Sequence, residues 1–104
     1  MPVWEDEPEN LVITDRKQQL KKPPLYKVLL HNDDYTTMEF VVVILQSVFH
    51  KSEAAAYRIM MAVHQHGVGV AGVYPYDIAE AKTAKAIDLA RENQFPLLCT
   101  MEEE

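Results

Sequence analysis

The chain has 104 residues, of which 48% are hydrophobic and 25% are charged, so it is long enough for one small domain with one core. Its net charge of −6 argues against a nucleic-acid-binding protein, which needs a basic face to neutralise phosphates. No apolar run approaches the roughly 18 residues that would span a membrane. The single cysteine, Cys99, cannot form an internal disulfide, which fits a reducing compartment.

Residues 1–22 differ in composition from the rest of the chain. Acidic residues cluster early, two prolines interrupt the segment, and nothing in it shows a sustained periodicity. The acidic start also lacks the basic and apolar regions of a secretory signal peptide, so we expect a cytoplasmic protein. We predict that residues 1–22 form a mobile N-terminal extension and that Pro23 and Pro24 open a domain covering 23–104.

The predicted domain begins with a strand and a helix. From Leu25 onward, Tyr26, Val28 and Leu30 alternate with Lys27, Leu29 and His31, which predicts a strand. Thr36 and Glu39 match the T-x-x-E capping box and predict a helix that begins at Thr37. The β-branched run 41–44 favours a strand, but the capping box and the length of the segment decide for a helix.

A second helix is predicted after Ser52, a candidate N-cap residue. Its apolar residues recur at helical spacing, and Gly67 is expected to end it in the left-handed conformation. The apolar residues are Ala56, Ile59, Met60 and Val63.

The remaining elements are a strand, a helix and a strand. Residues 68–74 predict the second strand, and Pro75 suits the first position of a third helix that runs to about Asn93. Alternation from Leu97 onward predicts the third strand. The order strand, helix, helix, strand, helix, strand predicts an α+β two-layer sandwich, with three helices on one face of a three-stranded antiparallel sheet.

The loop between the first strand and the first helix carries Asn32, Asp33 and Asp34. Such residues are common in turns, because their side chains bond nearby backbone amides. Two adjacent carboxylates also repel each other, so a bound cation would relieve that cost. The loop lacks the spacing of a calcium site, which leaves an ammonium group as the alternative to a simple turn.

The sequence does not favour a metal site or an enzyme. His64 and His66 lie two residues apart on a predicted helix, so their rings point in different directions and cannot easily share an ion. No nucleophile stands in register with a base, and no glycine loop is arranged to cradle phosphates. We therefore expect no catalytic residue, no metal and no cofactor.

Several motifs in this chain together resemble the ClpS adaptor family, over about residues 22–104. They are Tyr26-Lys27-Val28, Asn32-Asp33-Asp34-Tyr35-Thr36, Met38-Glu39-Phe40-Val41, Met60-x-x-Val63-His64-x-x-Gly67, Gly72-Val73-Tyr74, Ile78-Ala79-Glu80-x-Lys82 and Pro96-Leu97. The resemblance implies a fold related to the C-terminal domain of ribosomal protein L7/L12. It also implies a monomeric adaptor that binds proteins beginning with Leu, Phe, Tyr or Trp and delivers them to the ClpA-type unfoldase of the ClpAP protease.

The resemblance also implies roles for individual residues. Asn32, Asp33 and His64 would contact the substrate α-amino group and first peptide bond. From the loop itself, we expect Asp34 mainly to shape the turn. Asp77 and Lys82 would contact the N-domain of the unfoldase. The side-chain pocket would be walled by Thr36, Met38, Val41, Met60, Val63 and Leu97. An alternative remains open, in which the protein binds the unfoldase as a regulatory module and does not itself recognise N-termini.

Overall fold

The computed structural model describes residues 23–104. Its elements are β1 (Leu25–His31), α1 (Met38–Ser47), α2 (Glu53–His66), β2 (Val68–Pro75), α3 (Tyr76–Glu92) and β3 (Leu98–Glu103). This order is the predicted one. The expected N-terminal extension, residues 1–22, lies outside the described residues, so the domain boundary stays a prediction.

The three strands form one antiparallel sheet in the order β2-β1-β3, which confirms the predicted α+β class. The central strand β1 pairs on both sides, and His31 at its end lies opposite Val68 and Leu98. Val28 and Leu30 have no exposed surface, whereas their neighbours Lys27 and Leu29 are half-buried. The alternation in the sequence therefore reports one strand face that is covered by helices.

The core lies between this covered face and the helices. Its largest completely enclosed side chains come from several elements, and burying each one contributes about 1.5–3 kcal/mol. They are Leu30, Ile44, Leu45, Leu97, Val28 and Val48.

Helix α1 confirms the predicted helix over the β-branched run, but the predicted capping residue is wrong. The N-cap is Thr37, whose side-chain oxygen accepts a hydrogen bond from Phe40 N at 3.1 Å, and the helix begins at Met38. Thr36 lies one residue earlier, in the turn, where its hydroxyl donates to Asp33 Oδ2. The predicted T-x-x-E capping box does not form, because Phe40 and not Glu39 lies three residues after the cap.

The ends of α2 agree with the sequence. Ser52 Oγ accepts from Ala55 N at 3.1 Å, and Gly67 ends the helix with φ of 87°. Glycine suits this position because a Cβ atom makes the left-handed conformation costly.

The ends of α3 differ slightly from the prediction. Pro75 is the residue before the helix rather than its first residue, because it is still paired with Leu25 as the last position of β2. The helix ends at Glu92, and Gln94 adopts a positive φ of 63°, so the chain turns before it reaches Pro96.

Candidate functional site

The acidic loop is attached to the end of α2 by the backbone. Asn32 N donates a hydrogen bond to Gly67 O at 2.9 Å, directly after the point where His31 pairs with Val68. The left-handed turn at Gly67 lets the chain pass from α2 into β2 beside β1. His64, in the last turn of α2, is thereby brought to the loop although it is 32 positions away from Asn32.

Asp33 organises the loop. Its Oδ1 accepts from Tyr35 N at 2.8 Å and from Thr36 N at 2.7 Å, and its Oδ2 accepts from Thr36 Oγ1 at 2.8 Å. Partial burial would raise the pKa of this carboxyl, but the hydrogen bonds from Thr36 and Tyr35, together with the charge of Arg91, outweigh it and lower the pKa below its usual value. Asp33 is therefore held as a carboxylate.

Asp34 has the opposite situation. It is exposed, and within residues 23–104 its side chain makes no hydrogen bond or ion pair. The expectation that Asp34 mainly shapes the turn is wrong, because the hydrogen bonds that shape the turn come from Asp33. Asp34 instead supplies an unpaired negative charge at the surface of the loop.

A polar pocket of about 390 Å³ lies between the loop and α2. It brings together five of the residues that the resemblance assigned to the substrate site. They are Asn32, Asp33, Thr36, Met38 and His64. The pocket is also lined by Asp34, Tyr35 and Thr37, which the sequence did not assign to it.

An apolar groove of about 590 Å³ lies between α1 and α2, next to the polar pocket. The two cavities share Met38 and His64, and the groove also contains the predicted Met60. Four further lining residues were not predicted. They are Glu39, Val42, Tyr57 and Met61.

A sequence signal exists for three of these four residues, Val42, Tyr57 and Met61. Met61 lies four positions after Tyr57 and three before His64 along α2, which places the three side chains on one stripe of the helix. Met38 and Val42 form a corresponding pair on α1. The sequence favours the other stripe of α2, which contains Ile59 and Val63, because that stripe is more apolar and packs against the core.

Three of the predicted pocket residues line neither cavity. Val41 is 5% exposed, Val63 is 2% exposed and Leu97 is 1% exposed, and all three belong to the core cluster beneath the site. Met38 by contrast is 47% exposed. The role of these three residues as pocket walls stays a prediction.

The residues expected to contact the unfoldase lie on α3. Asp77 is exposed in its first turn, where Oδ1 accepts from Ile78 N at 3.0 Å. Lys82 is half-buried; its Nζ donates to Val48 O at 2.8 Å and lies 5.4 Å from the centre of the Tyr74 ring. The Lys82 ammonium therefore already has a partner inside the domain, at the C-terminus of α1.

The described residues include one thiol, that of Cys99, which lies in the buried core. Cys99 is 3% exposed, and burial raises the pKa of its thiol to about 11 against a smaller opposing effect of Thr83, so it is not a nucleophile at neutral pH. Residues 23–104 contain no group of three side chains placed to hold a metal ion. No helix in this part of the chain is long and apolar enough to cross a membrane.

A small α+β domain with an acidic polar pocket beside an apolar groove has the features of a ligand-binding module. Comparison with known proteins gives its family. The family model described as ATP-dependent Clp protease adaptor protein ClpS matches residues 21–100. The chain therefore belongs to the ClpS family, the adaptor proteins of the ATP-dependent Clp protease.

Individual relatives agree with this assignment. The ATP-dependent Clp protease adapter protein ClpS of Myxococcus xanthus is 60% identical over 100 residues, which cover 94% of each chain. That of Phenylobacterium zucineum is 58% identical over 93 residues, 89% of this chain and 85% of the relative. The solved structure of Agrobacterium tumefaciens ClpS2 bound to L-phenylalaninamide superposes with a TM-score of 0.76 at 51% identity, over 79% of this chain and 99% of that chain.

Proposed function

We propose that this adaptor binds substrate proteins by an N-terminal Leu, Phe, Tyr or Trp and delivers them to a ClpA-type unfoldase as a cytoplasmic, non-enzymatic monomer. The observation that carries the proposal is the adjacency of the acidic polar pocket to apolar surface. An N-terminal residue of this class presents two matching groups on one atom, a positively charged amine and a large apolar side chain.

The relative from Agrobacterium tumefaciens supports the choice of ligand. L-Phenylalaninamide has a free α-amino group, a benzyl side chain and an amide in place of the carboxylate. These are the groups that an N-terminal phenylalanine and its first peptide bond present. A family member that is 51% identical thus binds the minimal form of the proposed ligand.

The polar pocket would hold the amine. A free α-amino group has a pKa near ~8 and is mostly an ammonium at neutral pH. Asn32 offers a carbonyl acceptor and an amide donor, and a neutral His64 nitrogen offers a further acceptor. Of the roughly four lone-pair positions of a carboxylate, Asp33 uses three within the loop. We therefore assign the main countercharge to Asp34, with Asp33 holding the loop and keeping one position for the ligand.

The side chain of the first residue would enter between Met38 and Met60. Methionine is unbranched and adapts to aliphatic and aromatic shapes, which suits a site for Leu, Phe, Tyr and Trp. Thr36 would line the entrance, and the buried Val41, Val63 and Leu97 would form the floor below the two methionines. Burial of one such side chain contributes about 1.5–3 kcal/mol, which gives affinity without making release slow.

A fluorescence titration tests this proposal. A labelled peptide that begins with Phe is expected to bind, and the same peptide with an N-acetyl group is expected to bind at least about tenfold more weakly, because acetylation removes a charge-assisted hydrogen bond worth roughly 1.5–3 kcal/mol. A matched peptide that begins with Ser provides the side-chain control. Equal binding of all three peptides would instead support the regulatory module that ignores N-termini.

Delivery is tested separately from binding. A chain that lacks residues 1–22 keeps the entire described site, so we expect it to bind the Phe peptide like the full chain. The resemblance to the ClpS adaptors also implies that an N-terminal extension takes part in delivery to the unfoldase. We therefore expect the shortened chain to fail in ClpAP-dependent degradation of a Phe-starting substrate. Full degradation by the shortened chain would reduce residues 1–22 to a linker.

A further inference from the structure

The apolar groove between α1 and α2 extends beyond the two methionines that we assign to the first residue of a substrate. Val42, Tyr57 and Met61 line it beyond Met38 and Met60, and the assigned amine and side-chain contacts leave these three residues unused. Tyr57 is 57% exposed, which leaves most of a large ring in contact with solvent. An aromatic ring in this position offers a ligand a large contact area, and ordering the ring on binding costs little conformational entropy.

The groove is continuous with the polar pocket through Met38 and His64. A peptide whose amine lies in the polar pocket must leave the pocket past one of its rims. An extended chain advances about 3.3–3.6 Å per residue, so a peptide that leaves past Met38 and His64 places its second and third residues over the groove. The structure thus offers apolar surface at the place where those residues would lie.

From these contacts we propose that the groove is a second subsite, which binds an apolar side chain at position two or three of the substrate. The inference rests on the proposed function. Successive side chains of an extended peptide point to opposite sides, so only one of the two positions faces the groove. The first residue of the substrate then determines whether the protein is bound, and the substrate side chain in the groove modulates the affinity.

A second groove on the opposite side of the loop provides a competing route. It has a volume of about 530 Å³ and is lined by Tyr35, Arg91, Gln94, Phe95 and Pro96. It shares only Tyr35 with the polar pocket. Arg91 there donates to Phe95 O and Leu97 O at 2.8 Å and 3.1 Å, so a charged group occupies this side. The groove between α1 and α2 is therefore the better match for an apolar side chain.

The test uses labelled peptides that begin with Phe and carry Leu or Asn at position two or at position three, with Ala at the other. We expect Leu to bind about tenfold more tightly than Asn at one of the two positions, and equally at the other. Leu and Asn have similar size, so the comparison isolates apolar contact. The titration is done with the full chain by fluorescence anisotropy.

Variants then locate the contact. The preference for Leu should fall to about twofold or less in Tyr57→Ala and in Met61→Ala. It should persist in Val43→Ala, since Val43 is an exposed apolar residue on α1 that lines neither cavity. Tyr35→Ala reports on the opposite groove. Circular dichroism and thermal unfolding establish that each variant is folded before it is titrated.

Three results would overturn the second subsite while leaving the proposed function intact. They are Phe-dependent binding with no preference at either position, a preference that survives in both Tyr57→Ala and Met61→Ala, and a preference that only Tyr35→Ala removes. Equal binding of the free and N-acetylated forms of the Phe-Leu-Ala peptide would overturn both proposals together. The other three results leave the dependence on the free N-terminus intact, so the two kinds of failure can be told apart.

Discussion

Asp33 and Thr36 are joined by two hydrogen bonds, one to each carboxylate oxygen. Thr36 N donates to Asp33 Oδ1 at 2.7 Å, and Thr36 Oγ1 donates to Asp33 Oδ2 at 2.8 Å. The two residues form a closed unit that fixes the loop before α1 begins. The neighbouring Asp34 has no such partner within residues 23–104. Of the two adjacent aspartates, only Asp33 therefore holds the loop together by hydrogen bonds.

This difference predicts that two isosteric substitutions will have separable effects. Asp34→Asn should weaken binding of a Phe-starting peptide by roughly tenfold or more, because it removes a charge-assisted hydrogen bond worth ~1.5–3 kcal/mol, and it should leave the unfolding midpoint unchanged. Asp33→Asn should lower the free energy of unfolding by about 1 kcal/mol and should also weaken binding by loosening the loop. Peptide titration and urea denaturation of the same preparations measure both quantities.

The comparison has a clear contrary result. If Asp34→Asn binds like the parent chain while Asp33→Asn loses binding at unchanged stability, then the countercharge belongs to Asp33, as the resemblance implied. An Asp88→Asn variant serves as the control, because Asp88 is an exposed carboxylate on α3 that lines neither the polar pocket nor the apolar groove.

The lowered pKa of Asp33 predicts how the stability of the domain changes in acid. Because the carboxyl has a lower pKa in the folded state than its unfolded value near ~3.9, the unfolded chain binds more protons, and the stabilisation is fully present above that value. It is lost as the pH falls through the folded-state pKa. The difference in unfolding free energy between the parent chain and Asp33→Asn should therefore shrink from pH 5 towards pH 3 in urea titrations. A constant difference would show that the hydrogen bonds act independently of the charge.

Lys82 is predicted to contribute to stability as well as to the proposed contact with the unfoldase. Lys82→Met keeps most of the aliphatic stem but removes the hydrogen bond to Val48 O and the charge near the Tyr74 ring. We expect the free energy of unfolding to fall by ~1–2 kcal/mol. Asp77→Asn, on the exposed first turn of the same helix, should change stability by less than about 0.5 kcal/mol. Thermal unfolding of the two variants measures both changes in stability. Degradation assays with the same variants then test the proposed contact with the unfoldase.

Gly69 fixes the distance between β2 and α2. A Cβ atom at this position would lie 2.8 Å from Val63 Cγ2 and 3.2 Å from Ile59 O, which is part of the helix backbone. We expect Gly69→Ala to destabilise the domain by about 1–3 kcal/mol, because the helix must move away from the strand. Gly72, on the same strand, is not a suitable control. Val70→Ala serves instead, because Val70 is an exposed residue of β2, and it should lower the free energy of unfolding much less than Gly69→Ala. Denaturation curves of the two variants give the comparison.

Cys99 is predicted to be unreactive in the folded protein. Burial raises the pKa of its thiol to about 11, so at pH 8 very little thiolate is present and the sulfur is also shielded. A thiol-specific reagent should modify the native chain only at the rate at which it unfolds, and it should react at once in concentrated urea. Rapid modification without denaturant would show that β3 opens locally.

Much of this architecture follows from short-range sequence patterns. Alternation around Val28 and Leu30 determined a strand with one covered face, and Ser52 and Gly67 determined both ends of α2. These features depend on the spacing of neighbours along the chain, which a single sequence displays directly. The family also followed from the sequence, because several motifs occur in one order at one spacing.

Only the tertiary structure determined the different roles of Asp33 and Asp34 in the loop. Asn32-Asp33-Asp34 offers several similar acceptors, and the sequence does not say which carboxylate bonds Tyr35 N and Thr36 N. In the structure Thr36 belongs to that turn, and Thr37 is the cap of α1. The contact of the loop with α2 depends on the bond from Asn32 N to Gly67 O, which joins residues far apart in the chain. Local patterns determine elements, whereas the groups that face each other across a pocket depend on how those elements pack.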